Sequence, residues 1–293
     1  MNEVMVESLW ADANARTVIV CTLLLNSAAA LIGCFTYLQK KSLTGDAVSH
    51  SILPGIAIAF LFSGVKDLWV ILPGAFLTGG LSLLSIEYIL RHSKLKQDTA
   101  IALVLSVFFA VGVVLLSYIQ HHGNGNQSGL DSFLLGKAAA LLSADIPLYF
   151  SVAFVVVFSV LLFYRPFMLI SFDRSFALSI GIAAHRWQQV MVVLSVLAIV
   201  IGIQAVGVVL MSAMLITPAV AARYWSHRLP VVLLLAVLFN MIASVMGIII
   251  SYKYPSMPTG PWIVVCISSI AVLSFFIGNA KGILRRSSLT VQK

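Results

Sequence analysis

The chain has 293 residues, of which 60% are hydrophobic and only 10% charged, and it carries a formal net charge of +8. Soluble domains are about a quarter charged, so this composition, with a mean hydropathy of +1.05, excludes an ordinary water-soluble fold. The excess of positive charge comes without a basic run interleaved with aromatic residues, which excludes a nucleic-acid-binding footprint.

A membrane-spanning helix needs roughly 20 mostly apolar residues. In chain order such stretches cover residues 17–38, 47–62, 68–90, 99–118 and 146–164. A short apolar piece at 132–143, with Asp131, Lys137 and Asp145 around it, predicts a re-entrant or interfacial helix. The run 187–223 is too long for one crossing and carries Gly202, Gln204 and Gly207 near its middle, so it divides in two. Segments 229–251 and 260–278 follow. The reading is an all-α, polytopic membrane protein of eight or nine transmembrane helices, a single domain over residues 1–293. The period-2 alternation of a membrane β-barrel is absent.

Glu3, Glu7 and Asp12 stand ahead of the first span in place of a basic n-region, so no cleaved signal peptide is expected. Cys21, Cys34 and Cys266 all fall inside predicted spans with no C-x-x-C spacing, and read as small packing residues. When the breaks are assigned to alternate sides, one side collects Lys40, Lys41, Arg91, Lys94, Lys96, Arg165, Arg174, Arg186, Arg223, Arg228, Lys281, Arg285, Arg286 and Lys293. The other has Arg16, Lys66, Lys137 and Lys253. With nine spans this asymmetry places the N-terminus outside and the C-terminus in the cytoplasm.

Ionisable groups within spans are costly unless paired or set in a water-filled cavity. Gly45-Asp46-Ala47-Val48-Ser49-His50, running into Ser51-Ile52-Leu53-Pro54-Gly55, is the strongest constellation. On a helix Asp46 and His50 share a face. A carboxylate oxygen and an imidazole nitrogen converging there suit a borderline divalent ion such as Mn²⁺, Fe²⁺ or Zn²⁺. Spacing alone leaves a second reading open, in which Asp46 caps the second span and His50 is a polar residue of its first turn. Pro54 and Gly55 suggest a broken helix, the device by which transporters expose ligands at mid-membrane.

The other titratable groups read more simply. His121 and His122 belong to a polar outer loop, His92, His185 and His227 lie among basic residues, and Glu87 is placed to pair with Arg91. Between the fifth and sixth spans, Asp173-Arg174-Ser175-Phe176-Ala177-Leu178-Ser179-Ile180-Gly181 predicts a short amphipathic helix closed by glycine. Such a helix lies on the bilayer or docks into a partner's groove. A G-x-x-x-x-G-K-[ST] phosphate loop, a nucleophile elbow and H-E-x-x-H are all absent from the sequence, so it offers no site for hydrolysis.

The run from Gly45 to Gly55 resembles the second-helix motif of the permease subunits of ATP-binding-cassette importers for manganese, zinc and iron. Asp173 with Phe176, Ala177 and Gly181 is similar to that family's coupling helix, expected over about 173–182. Gln204 to Leu210 and Leu215-Ile216-Thr217-Pro218-Ala219 resemble the segment after it, and Pro258-Thr259-Gly260-Pro261 the opening of the last helix. The marks occur in the family's order and span nearly the whole chain.

This resemblance implies a non-enzymatic permease in a prokaryotic plasma membrane. It pairs with a second permease copy or paralogue, receives its ion from an extracytoplasmic metal-binding protein, and is driven by separate ATPase subunits that bind the ATP. Asp46 and His50 would hold the transported metal, and Asp173, Phe176, Ala177 and Gly181 would couple to the ATPase. The wording around Asp46 is closer to the manganese and iron members than to the zinc ones. A secondary, ion-coupled metal transporter would use the same pair with further intramembrane charges, and an iron-chelate or cobalamin permease would share the architecture without needing the pair.

Overall fold

A computed structural model describes residues 12–64, 68–122, 141–254, 257–278 and 280. The secondary structure there is helical: α1 (Ala13–Leu38), α2 (Leu43–Ser51), α3 (Leu53–Ser63), α4 (Leu68–His92), α5 (Gln97–His122), α6 (Ile146–Leu162), α7 (Tyr164–Phe172), α8 (Arg174–Ser179), α9 (Ala184–Val206), α10 (Val208–Arg223), α11 (Leu229–Lys253) and α12 (Thr259–Ile277). A 3₁₀ turn, Ser143–Asp145, leads into α6. Most of the apolar piece predicted at 132–143, including Lys137, lies outside the described residues, as do Asp131 and Lys66.

Eight of these segments are long and apolar enough to cross a membrane, counting α2 with α3 as one. Helix α10 has only 16 residues, yet it traverses the bundle beside α12. At one end, a Cβ on Gly260 at the start of α12 would lie 2.9 Å from the Val206 carbonyl just before α10. At the other, the Ala280 N–H donates to the Tyr224 carbonyl just after α10, at 2.8 Å. The described chain therefore makes nine traversals. The long run divides in two as expected, and of Gly202, Gln204 and Gly207 it is Gly207 that makes the break, its φ of +95° suiting glycine and few other residues.

Within lipid there is no hydrophobic drive for helices to associate, so close packing of small residues and interhelical hydrogen bonds carry the structure. Helix α1 shows this in its sequence: Ala28, Ala29, Ala30, Gly33 and Cys34 are buried, and α10 and α11 pack against it. Helices α3 and α4 cross at Gly55 and Gly74 so closely that a Cβ on Gly55 would lie 2.2 Å from the Gly74 carbonyl. All three cysteines are buried and unbridged, as the packing reading expects.

Basic residues gather at one end of the bundle. The end of α1 joins α7 and α9 there through Gln39 Nε2, 3.4 Å from Ser171 Oγ and 3.3 Å from Met191 Sδ. Phe35 of α1, Phe163, Phe167 of α7 and Trp187 of α9 form an aromatic cluster with centroid separations of 4.7 to 6.2 Å. This cluster fixes the corner from which α8 projects. At the opposite end, where Thr17 meets Ser143, the described residues include only Arg16 and Lys253 as Lys or Arg.

Candidate functional site

Helix α2 starts at Leu43, four residues before the apolar span read from the sequence, and Ser42 is its N-terminal flanking residue. Asp46 is therefore inside the first helical turn and is not a cap. Its carboxylate Oδ1 lies 3.6 Å from His50 Nε2, too far for a hydrogen bond. Two ligands held about 2.1 Å from a tetrahedral ion are roughly 3.4 Å apart, so the pair stands at the separation of two ligands to one cation.

The helix breaks one turn beyond His50. Pro54 has no N–H to return to the His50 carbonyl, and α2 gives way to α3 at Ile52. Behind the pair, Ala47, Val48, Ser49 and Ser51 are buried, and the His50 ring meets Phe109 of α5 edge-on at 5.1 Å. His50 Nδ1 is buried and lacks a partner. Its side chain is 19% exposed and that of Asp46 is 41% exposed, so the pair opens on the outer face of the protomer. Among the described residues, no group of three or more His, Cys, Asp or Glu side chains is placed to hold an ion. Asp46 and His50 alone would make half of a usual four-ligand shell.

A cavity of roughly 80 Å³ lies on the basic side of α2, lined among others by Lys41, Thr44, Gly45, Glu87, Gln97 and Gln188. It is large enough to hold water, and neither Asp46 nor His50 lines it. Burial holds the Lys41 ammonium below the ordinary lysine range, Glu87 opposes this, and Arg174 adds to it. Glu87 Oε1 accepts from Arg91 at 2.7 Å, the pair expected from their spacing, and is 3.6 Å from His185 Nδ1. That link ties the end of α4 to the start of α9, and no local sequence signal joins His185 to Glu87 or to its other neighbour, Arg91, 94 positions away.

The predicted coupling segment forms α8, six residues long, between two defined ends. The Asp173 carboxylate accepts the Phe176 N–H at 2.9 Å. At the other end Gly181 takes φ +83°, while the Ile182 N–H reaches back to the Ala177 carbonyl at 3.0 Å. Asp173, Phe176, Ala177 and Gly181 thus belong to one compact unit. Ala177 is buried beneath it, whereas Phe176, Leu178 and Ile180 are more than half exposed. His121 and His92 each reach a carbonyl one turn back and remain exposed.

Comparison with known proteins places this architecture. The manganese transport system membrane protein MntC of Bacillus subtilis is 43% identical over 286 residues, covering 97% of this chain, which spans 66% of that longer protein. The zinc transport system membrane protein TroC of Treponema pallidum is 40% identical, covering 94% of this chain and 93% of its own. Among solved structures, PsaBC from Streptococcus pneumoniae in complex with Fab superposes with a TM-score of 0.86 at 29% identity, covering 98% of this chain and all of that one. The profile of the ABC 3 transport family matches residues 12–278, and the chain belongs to that family.

Proposed function

We propose that this chain is the membrane permease of an ATP-driven importer for a divalent first-row metal ion, with Asp46 and His50 contacting the ion in transit. The observation that carries the reading is the pair itself. A carboxylate and an imidazole stand 3.6 Å apart on a broken helix, on a face that opens away from the protomer's own core. A carboxylate on a membrane-embedded face is costly unless something polar covers it. A second permease copy across this face does so, and supplies the two further ligands that complete a four-coordinate shell. The relatives named for manganese and zinc support a cargo of this class.

The permease makes and breaks no covalent bond; it needs only different affinities for the ion in two conformations. Energy enters from separate ATPase subunits that dock on the exposed Phe176, Leu178 and Ile180 of α8. An extracytoplasmic binding protein delivers the ion at the opposite end, and the basic end of the bundle faces the cytoplasm of a prokaryotic cell.

The test is uptake of radioactive Mn²⁺, Zn²⁺ or Fe²⁺ into vesicles holding the permease, its ATPase and its binding protein. Uptake that requires ATP inside the ATPase-bearing compartment and is indifferent to a protonophore fits the proposal. Uptake that runs without ATP and collapses with the proton gradient contradicts it, and the ion preferred in competition identifies the cargo.

A further inference from the structure

Helix α10 backs the helix that carries Asp46 and His50. A methyl placed on Gly45 would lie 3.9 Å from both Ser212 and Leu215 of α10. Val208, Met211, Met214, Leu215, Ala219, Ala221 and Ala222 of the same helix are at most 1% exposed. Yet the hydrogen-bond ladder of α10 is incomplete. Pro218 sits inside it and has no N–H, so the Met214 carbonyl four residues back lacks its regular helical donor. In a bilayer such a group must find another donor.

The donor is on α11. Asn240, fully buried, donates through Nδ2 to the Met214 carbonyl at 3.3 Å and to the Asn26 carbonyl of α1 at 3.0 Å. An asparagine amide has two N–H groups, and both are committed, one to each neighbouring helix. The Ser244 hydroxyl donates to the Asn240 carbonyl at 2.6 Å and accepts from Asn26 Nδ2. The side-chain oxygens of Asn26 and Asn240 are buried without partners. Both N–H groups of Asn240 are spent on backbone carbonyls while its own side-chain oxygen is left over, as a device aimed at backbone carbonyls requires.

We propose that Asn240 is a positioning residue for transport: its amide replaces the N–H that Pro218 removes and fixes α10 against α1 and α11 at mid-bundle. Helix α10 then offers a fixed surface to α2. The functional half of this inference rests on α2 being the cargo helix, whereas the structural half, the pairing of Asn240 with Pro218, does not.

The pairing makes a specific prediction. An asparagine acting only as general interhelical glue would be lost on mutation whatever stands at 218. Here, Pro218→Ala restores the missing N–H and makes Asn240 dispensable to Met214. The experiment compares Asn240→Leu, Pro218→Ala and the double variant in the assembled transporter, reading thermal midpoint, maximal uptake rate and half-saturating ion concentration. Asn240→Leu is expected to lower the maximal rate roughly tenfold, as loss of one or two interhelical hydrogen bonds allows, with half-saturation unchanged within about twofold. Asn240→Leu is expected to cost less in midpoint and rate when made in Pro218→Ala than when made in the wild type, the remainder being the lost bond to the Asn26 carbonyl.

Additive losses in the double variant overturn the pairing. If Asn240→Leu does not assemble, assembly of the double variant supports the pairing and its failure refutes it. A restored midpoint with no ion dependence in any protein would keep the pairing and contradict the cargo assignment instead.

Discussion

Replacing Gly55 by alanine tests how tightly the broken helix is held. The new Cβ would lie 2.2 Å from the Gly74 carbonyl oxygen and 2.3 Å from Thr78 Oγ1, where ordinary contact begins near 3.4 Å. The Thr78 hydroxyl can rotate away, but the Gly74 carbonyl is helix backbone, so α3 and α4 must part by about 1.2 Å. Overpacking of this kind costs about 1–3 kcal/mol, and it acts one residue from Pro54, beneath His50. Gly55→Ala should therefore lower the midpoint of thermal unfolding in detergent and reduce uptake. Gly45→Ala is the matched control: its methyl meets nothing closer than 3.9 Å and should leave both readouts near wild type. Equal stability of the Gly55→Ala and wild-type proteins would refute the close crossing of α3 and α4.

Three further outcomes follow from the basic end of the bundle. Asp173→Ala removes the cap on the Phe176 N–H and should destabilise α8 by about 1 kcal/mol, with Asp173→Ser recovering most ATP-driven uptake and a protease-protection assay reporting the local fraying. Leu178→Glu places a charge on a side chain 57% exposed, so the permease should purify folded but fail to retain its ATPase on a sizing column; normal co-elution would contradict the docking surface. Glu87→Gln removes a charge whose partners, Arg91 and His185, are 49% and 45% exposed. Such pairs are worth at most about 1 kcal/mol, so its thermal midpoint should shift by only a few degrees.

The sequence made the spans legible because lipid demands continuous apolar runs, and the division of the long run because its length exceeds one crossing; which of Gly202, Gln204 and Gly207 breaks it was not legible. It placed the start of the second span too late: Thr44, Gly45 and Asp46 are not apolar, yet α2 continues through them to Leu43. That one turn decides between a capping aspartate and one displayed on a helix face with His50. Helix α8 is shorter than the expected 173–182 because Asp173 caps it from outside and Gly181 leaves the helical region. The preceding α7 was not foreseen; it starts with Pro166 in its first turn, where a proline is tolerated, after Phe163 breaks from α6. Contacts between distant residues left no local signal. Asn240 meets the Asn26 carbonyl across 214 positions, and neither residue is marked by a motif.

The most direct measurement is ATP-dependent metal uptake by the assembled transporter carrying Asp46→Ala or His50→Ala, with assembly verified by retention of the ATPase. If Asp46 and His50 hold the cargo, each substitution abolishes uptake of the preferred ion while the complex stays intact. Uptake that survives both substitutions at wild-type half-saturation would show that the ion passes without touching them, and the assignment of this face as the transport site would fall.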